Sequence, residues 1–216
     1  VLPALAGCGG TAGTLARLFS GDAVDPIFKP QDRLTLIVVE QDPGPDGPVL
    51  GDPSLSGVIA QQIKFQLKNE EAITQFVAPE KLAEVQKQTG DKFQDLSDTE
   101  LARKLGAAQV LRVRVRSTGI SEETGNLRPQ AVVFVWLTDA VTNQVIFPVP
   151  GTGNDAVAPE AQTGPYVVTS TINHKSASGD NSSGLIATLE RQLAERIGRD
   201  VARLFFSYVP DNPGTP

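Results

Sequence analysis

Methionine is absent from the 216 residues, and cysteine, histidine and tryptophan occur once each. A lone cysteine excludes an intrachain disulfide framework, and one cysteine with one histidine leaves no zinc-binding set. No run approaches the ~18 consecutive apolar residues that a helix needs to cross a bilayer. Positive charge is also short: 19 Lys and Arg stand against 25 Asp and Glu, a formal charge of -6. Such a chain has little to draw it to phosphate backbones, so nucleic acid is not expected as a partner. What is present is 40% apolar and 20% charged residues, enough for a packed core. At roughly 100–200 residues per domain, the length fits one domain with a tail.

Because a reading frame opens with methionine, the numbering is expected to start inside the gene product. The opening Val1-Leu-Pro-Ala-Leu-Ala-Gly-Cys8 reads as the back half of a secretion signal. Within it, Leu5-Ala6-Gly7-Cys8 resembles the lipobox of bacterial lipoproteins. That resemblance implies that Cys8 becomes the first mature residue and the site of lipid attachment. Small side chains suit a peptidase at the cut, and a thiol is the side chain that can be acylated. The expected organisation is a signal remnant at 1–7, a lipid-anchored tether at 8–31, one α/β domain at 32–209 and a disordered tail at 210–216. The stretch Gly9–Gln31 reads alternatively as an ordered arm packed on the domain through Leu18, Phe19, Ile27 and Phe28.

The same front end has a competing reading. Gly7-x-Gly9-x-x-x-Gly13 precedes a short helical stretch, Leu15–Phe19, and the apolar run Leu34–Val39 ends in Glu40. Glycine turn, helix, then strand with a terminal acid is the order of a dinucleotide site, which would make the chain a soluble nucleotide-dependent oxidoreductase. Against it, Pro3 falls in the would-be central strand, where it removes a ladder donor. Ser20-Gly21-Asp22 stops the helix after about two turns. No second set of strand–helix repeats follows.

Leu34–Val39 predicts an internal strand. The Pro- and Gly-rich stretch 41–52 after it predicts no regular structure. Asp52 then reads as the cap of a helix with Pro53 at its first position and Leu55, Val58, Ile59, Ile63 and Leu67 on one face. Ile73–Val77 predicts a second strand, followed by a short helix from Pro79 or Glu80 to about Gln88. Ser97-Asp-Thr-Glu100 is a capping box for a third helix, closed by Gly106. Gln109–Thr118 alternates strictly, with Val110, Arg112, Arg114 and Arg116 on one face and Leu111, Val113 and Val115 on the other. Ala131–Leu137 predicts a central strand, Thr142-Asn143 a tight turn, and Gln144–Val149 the next strand of an antiparallel meander. Within the Gly-, Asn-, Ser- and Pro-rich segment 151–183, Tyr166–Ile172 predicts one more strand. A long amphipathic helix at about Gly184–Ser207 closes the domain. The expected fold class is α/β (α+β mixed sheet), in the order βαβ(αα)βββ(β)α.

No catalytic set emerges. His174 sits in a polar stretch, no serine lies in a G-x-S-x-G elbow, and no phosphate loop ends in Gly-Lys-Ser/Thr. Asp42, Asp46 and Asp52 miss the ligand spacing of a calcium loop and read as turn and cap residues. No metal and no cofactor is expected. The one feature with binding character is the stripe Arg112, Arg114 and Arg116, which could grip an acidic protein surface or an anionic glycan. The alternative is a partly solvated sheet face on which the arginine stems cover apolar surface.

The run from Leu101 to Val115, Leu-Ala-Arg-Lys-Leu-Gly-Ala-Ala-Gln-Val-Leu-Arg-Val-Arg-Val, resembles a helix–Gly–strand signature of bacterial envelope lipoproteins. That group includes the curli secretion protein CsgG and the penicillin-binding-protein activator LpoB, and the N-terminal domain of TolB is similar in fold. Val135-Trp-Leu-Thr-Asp139-Ala-Val-Thr-Asn143-Gln-Val-Ile resembles their hairpin. The resemblance implies an α/β protein-interaction module on a lipid anchor, with an envelope protein as partner and no catalysis. The implied location is the periplasmic face of the outer membrane. A curli-type pore is not expected, because Ile120–Gln130 is polar and its neighbour Ala131–Leu137 does not alternate.

Overall fold

The computed structural model of the protein describes residues 23–44, 47–48, 50–93, 95–123, 126–149, 164–175 and 183–210. Cys8, the Gly7–Gly13 turn, the Leu15–Phe19 turn, Asp46 and most of 151–183 lie outside the described residues. The chain forms β1 (Thr35–Gln41), a small hairpin of β2 (Pro43–Gly44) and β3 (Gly47–Pro48), then α1 (Leu55–Asn69) and α2 (Pro79–Thr89). A 3-10 turn (Gly90–Phe93) leads to α3 (Asp98–Leu105) and the long strands β4 (Gln109–Glu123) and β5 (Asn126–Asp139). Strands β6 (Gln144–Phe147), β7 (Tyr166–Thr171) and β8 (His174–Lys175) precede the closing helix α4 (Ser183–Ala202).

The expected α/β class holds: one mixed sheet is covered by helices on both faces. β4 lies beside β1 in parallel and beside β5 in antiparallel register, and β6, β7 and β8 all pair with the far side of β5. Alternation along β4 decides which residues each layer buries, because successive side chains leave a strand on opposite faces. Leu111, Val113 and Val115 enter the larger core with Ile59 and Ile63 of α1 and Leu193, Ile197 and Val201 of α4. Val110 enters the smaller core with Leu36 and Val38 of β1, Val85 of α2, and Leu101 and Leu105 of α3. Close contact of α1 with α4 depends on Gly198, where an added Cβ would stand 2.6 Å from Gln62 Cβ and 3.0 Å from the Ile59 carbonyl oxygen.

Local signals placed several elements well. The capping box forms, with Ser97 Oγ accepting from the Glu100 amide and the Glu100 carboxylate accepting from the Ser97 amide. Gly106 ends α3 at φ +71°, a left-handed conformation that costs glycine nothing. Asn143, with φ +57°, sits in the turn between β5 and β6. As expected, β5 is central.

Other expectations fail for identifiable reasons. Ile73–Val77 is not a strand. It makes a single parallel bridge, Phe76 to Thr35, because Pro79 starts α2 two residues beyond Val77 and turns the chain off the sheet. The first helix begins at Leu55 rather than at Pro53, and Asp52 is not its cap. Residues 53 and 54 instead form a tight turn in which the Asp52 carboxylate accepts from the Ser54 amide and hydroxyl, both at 2.8 Å. Stretch 41–52 holds the short antiparallel pair β2–β3, in which Pro43 pairs with Pro48 and each proline ring fixes a φ that a strand accepts. β4 does not stop at Thr118, and β5 starts before Ala131: a bulge between Val115 and Ser117 resets the register, and the pairing then continues to Glu123 and Asn126. His174, read as a loop residue, lies in β8, paired with Leu127.

The last helix ends at Ala202 instead of Ser207. After it, Leu204 donates to Val201 and Phe205 to Ala202, a tightening that turns Phe205 onto Phe147, with ring centroids 5.3 Å apart. The described part of the stretch expected as a tether lies against this corner. Val24 and Tyr208 exchange backbone hydrogen bonds, the Phe28 amide donates to the Leu204 carbonyl, and the Phe28 ring lies 5.6 Å from Phe147. Ile27 is exposed.

Candidate functional site: an open strand edge beside an acid–arginine ladder

Against the expectation of an internal strand at Leu34–Val39, β1 is an edge of the sheet, because the chain after Val77 leaves it, and its outer side is only partly closed. Backbone groups of alternate strand residues point to opposite sides. Leu34 accepts from Ala108 and Asp42 donates to Val115, so even-numbered residues face β4. Thr35 donates to Gln75 and accepts from Val77, so odd-numbered residues face outward. Beyond Val77 the covering chain has left, and the outward N–H and C=O groups of Ile37 and Val39 have no partner among the described residues. A groove of about 1660 Å³ runs along this edge between α1 and α2.

The wall formed by α1 carries Lys64, Phe65 and Lys68. Phe65 is 56% exposed, the most exposed aromatic side chain among the described residues, and neither lysine has an ion-pair partner there. On the α2 side the lining is Leu82, Phe93 and the carboxylates of Glu80 and Asp95. At the far end, Gln41 ties the strand to the entry of α1: its Nε2 donates to Ser56 Oγ at 3.1 Å and its Oε1 accepts from the Leu50 amide at 2.9 Å.

The predicted arginine stripe lies one strand in. Arg112 is buried, its guanidinium paired with Glu40 and with Asp98, to which Nε donates at 2.7 Å. Asp98 also accepts from Thr138 Oγ1 at 2.8 Å. Arg114 donates to Glu40 at 3.2 Å, reaches Asp42 at 3.7 Å and stacks 5.5 Å from the centroid of Trp136. Arg116, 60% exposed, pairs with Asp42. Arg112 is therefore an internal tie between β1, β4 and α3. The part of the stripe that meets solvent is Arg114 and Arg116, each anchored at one end.

Sequence reasoning singled out the three arginines and missed their partners. One signal was available: Glu40 and Asp42 are spaced by two at the end of a strand, matching the spacing of the arginines, so a parallel register brings the two sets together. Lys64, Phe65 and Lys68 gave no such signal, since on a helix they read as a solvated face.

At the opposite end of β1, hydrogen bonds from the Thr142 and Val141 amides, together with the Arg33 guanidinium 3.0 Å away, hold the Asp139 carboxyl below its ordinary value. That carboxylate is a turn-former. Among the described residues no group of three His, Cys, Asp or Glu could hold a metal ion, and no helix is long and apolar enough to cross a membrane.

These features define an α/β domain that leaves the outer side of β1 open beyond Val77 and holds no assembled catalytic set among the described residues. No family model and no curated protein sequence matches the chain. Among solved structures, it is similar to lipoprotein GNA1162 from Neisseria meningitidis, with 14% identity and a TM-score of 0.45 over 76% of this chain and 97% of that one. It is similar also to the PelC dodecamer from Paraburkholderia phytofirmans, at 12% identity and 0.40 over 85% and 94%. Escherichia coli LpoB gives 17% identity and 0.33 over 53% of each chain. At these scores the likeness assigns neither family nor function.

Proposed function

We propose that the chain is a lipid-anchored protein of the bacterial cell envelope that holds a protein partner and catalyses no reaction. The observation that carries this reading is the open edge of β1, a hydrogen-bonding surface flanked by an exposed phenylalanine and two lysines that have no ion-pair partner among the described residues. Strand edges left open in this way are used for recognition or else blocked, and nothing in the described residues blocks this one. Leu5-Ala6-Gly7-Cys8 supports the anchor, with Cys8 as the lipid-attachment residue. The stretch 8–22 is then the tether, and the working domain is 32–209 with the arm 23–31 packed against it. The likeness of Leu101–Val115 to the envelope lipoprotein signature supports an accessory or activator role in cell-wall synthesis or secretion, on the periplasmic face of the outer membrane. Arg114 and Arg116 extend the contact surface beyond the end of β1, while Arg112 supports it from inside.

The test is position-specific crosslinking in the native membrane. A photoreactive residue at Phe65 or Arg116 is expected to give one adduct of defined mass. At Val141, which is 80% exposed beyond the other end of β1, it is expected to give none. Absence of adducts at every position, with the protein folded and membrane-bound, would contradict the reading.

A further inference from the structure

Resting on the interaction-module reading, we infer that the outer edge of β1 takes up an extended, acidic segment of the partner protein as an added strand. The place for it already exists. Gln75–Val77 begins such a strand, pairing with Thr35 through bonds of 2.9 Å in each direction, and then stops. An incoming backbone that continues this line meets the donors and acceptors of Ile37 and Val39, which have no partner among the described residues. Main-chain hydrogen bonds of this kind supply affinity without regard to sequence, and the walls then select side chains.

Those walls differ in charge. Side chains of an added strand alternate between the α1 side and the α2 side. Toward α1 they meet Lys64 and Lys68, whose ammonium groups have no anionic partner among the described residues. The nearby Arg191 and Glu195 on α4 neutralise each other at 3.5 Å. Toward α2 they meet Leu82 and Phe93, with the carboxylates of Glu80 and Asp95, which have no ion-pair partner among the described residues, at the rim. Acidic residues therefore fit one set of alternate positions and are repelled at the other, where apolar residues fit. Glu40 and Asp42 do not oppose the acidic set, since both are already neutralised by the arginines. The occupant is an extended segment with carboxylates at every second residue and apolar side chains between.

The experiment uses the full chain and a fluorescein-labelled octapeptide of alternating glutamate and valine, with binding read by fluorescence anisotropy. Three controls accompany it: the same peptide with lysine for glutamate, the glutamate peptide N-methylated at every residue, and a Lys64→Glu/Lys68→Glu protein. Saturable binding is expected for the glutamate peptide, weakened by salt and about tenfold or more weaker for the lysine peptide. N-methylation is expected to abolish it, and the double variant, checked as folded by its thermal transition, to reverse the charge preference. No saturable binding, or equal binding of the N-methylated peptide, overturns strand addition. So does self-association of the free protein that the peptide reverses, because a second copy is then the occupant. Failure here with the Phe65 and Arg116 crosslinks intact removes only this mode of docking, whereas loss of all crosslinks removes the interaction reading itself.

Discussion

Arg112→Ala is expected to destabilise the fold by about 3–5 kcal/mol, measured by urea denaturation. Burial is the reason. The Arg112 side chain is 6% exposed, and its partners Glu40 and Asp98 are 16% and 12% exposed. Removing the guanidinium leaves two carboxylates short of solvent and close to each other, which costs far more than the pair contributes when intact. A triple replacement, Arg112→Met with Glu40→Gln and Asp98→Asn, removes the three buried charges while keeping the volume and the acceptor for Thr138, and leaves the half-exposed Arg114 to Asp42. It is therefore expected to recover most of the loss. A surface pair behaves differently: Arg116→Ala should change stability by less than about 1 kcal/mol, since that pair is exposed and screened. If Arg112→Ala costs no more than Arg116→Ala, the ladder is not the tie between β1, β4 and α3 described above.

Phe147→Ala is the second large effect, again about 3–5 kcal/mol. Its ring is fully buried and meets three others, Phe28 at 5.6 Å, Tyr166 at 5.4 Å and Phe205 at 5.3 Å. Truncation forfeits the transfer energy and leaves a cavity bounded by β7, the corner after α4 and the arm before β1. These elements cannot close on the void together, because β7 and the arm are pinned by backbone hydrogen bonds. For a domain whose total stability is about 5–15 kcal/mol, the loss is a large fraction. A drop below about 1 kcal/mol would show that the arm at residues 23–31 does not pack on this cluster in solution.

The sheet was legible wherever one residue pattern had one physical outcome. Strict alternation in Gln109–Val115 assigned each side chain of β4 to its face. Ser97 and Glu100 fixed a helix start because both capping bonds are local. Failures came where a distant partner decided the outcome. Ile73–Val77 has strand composition, but pairing needs more room than Pro79 leaves. Ile120–Gln130 is polar and gave no strand pattern, yet backbone pairing carries β4 on to Glu123 and starts β5 at Asn126, where β8 and β7 pair with its far side. The arginines were visible as a stripe, but their burial was not. Nothing local in Arg112 tells that Glu40 lies beside it across a sequence separation of 72, and Asp98 across one of 14. The open edge of β1 was the least visible, because it is defined by where the chain after Val77 does not go.

The central claim, a lipid-anchored envelope protein, is tested most directly at Cys8. Wild type and Cys8→Ala, expressed from the full gene in a bacterial host, would be fractionated and their intact masses taken. A membrane-bound wild-type protein that begins at Cys8 and carries added acyl mass is predicted, with both the acyl mass and the membrane association lost in Cys8→Ala. A soluble wild-type protein of one unmodified mass, unchanged by the substitution, would contradict it.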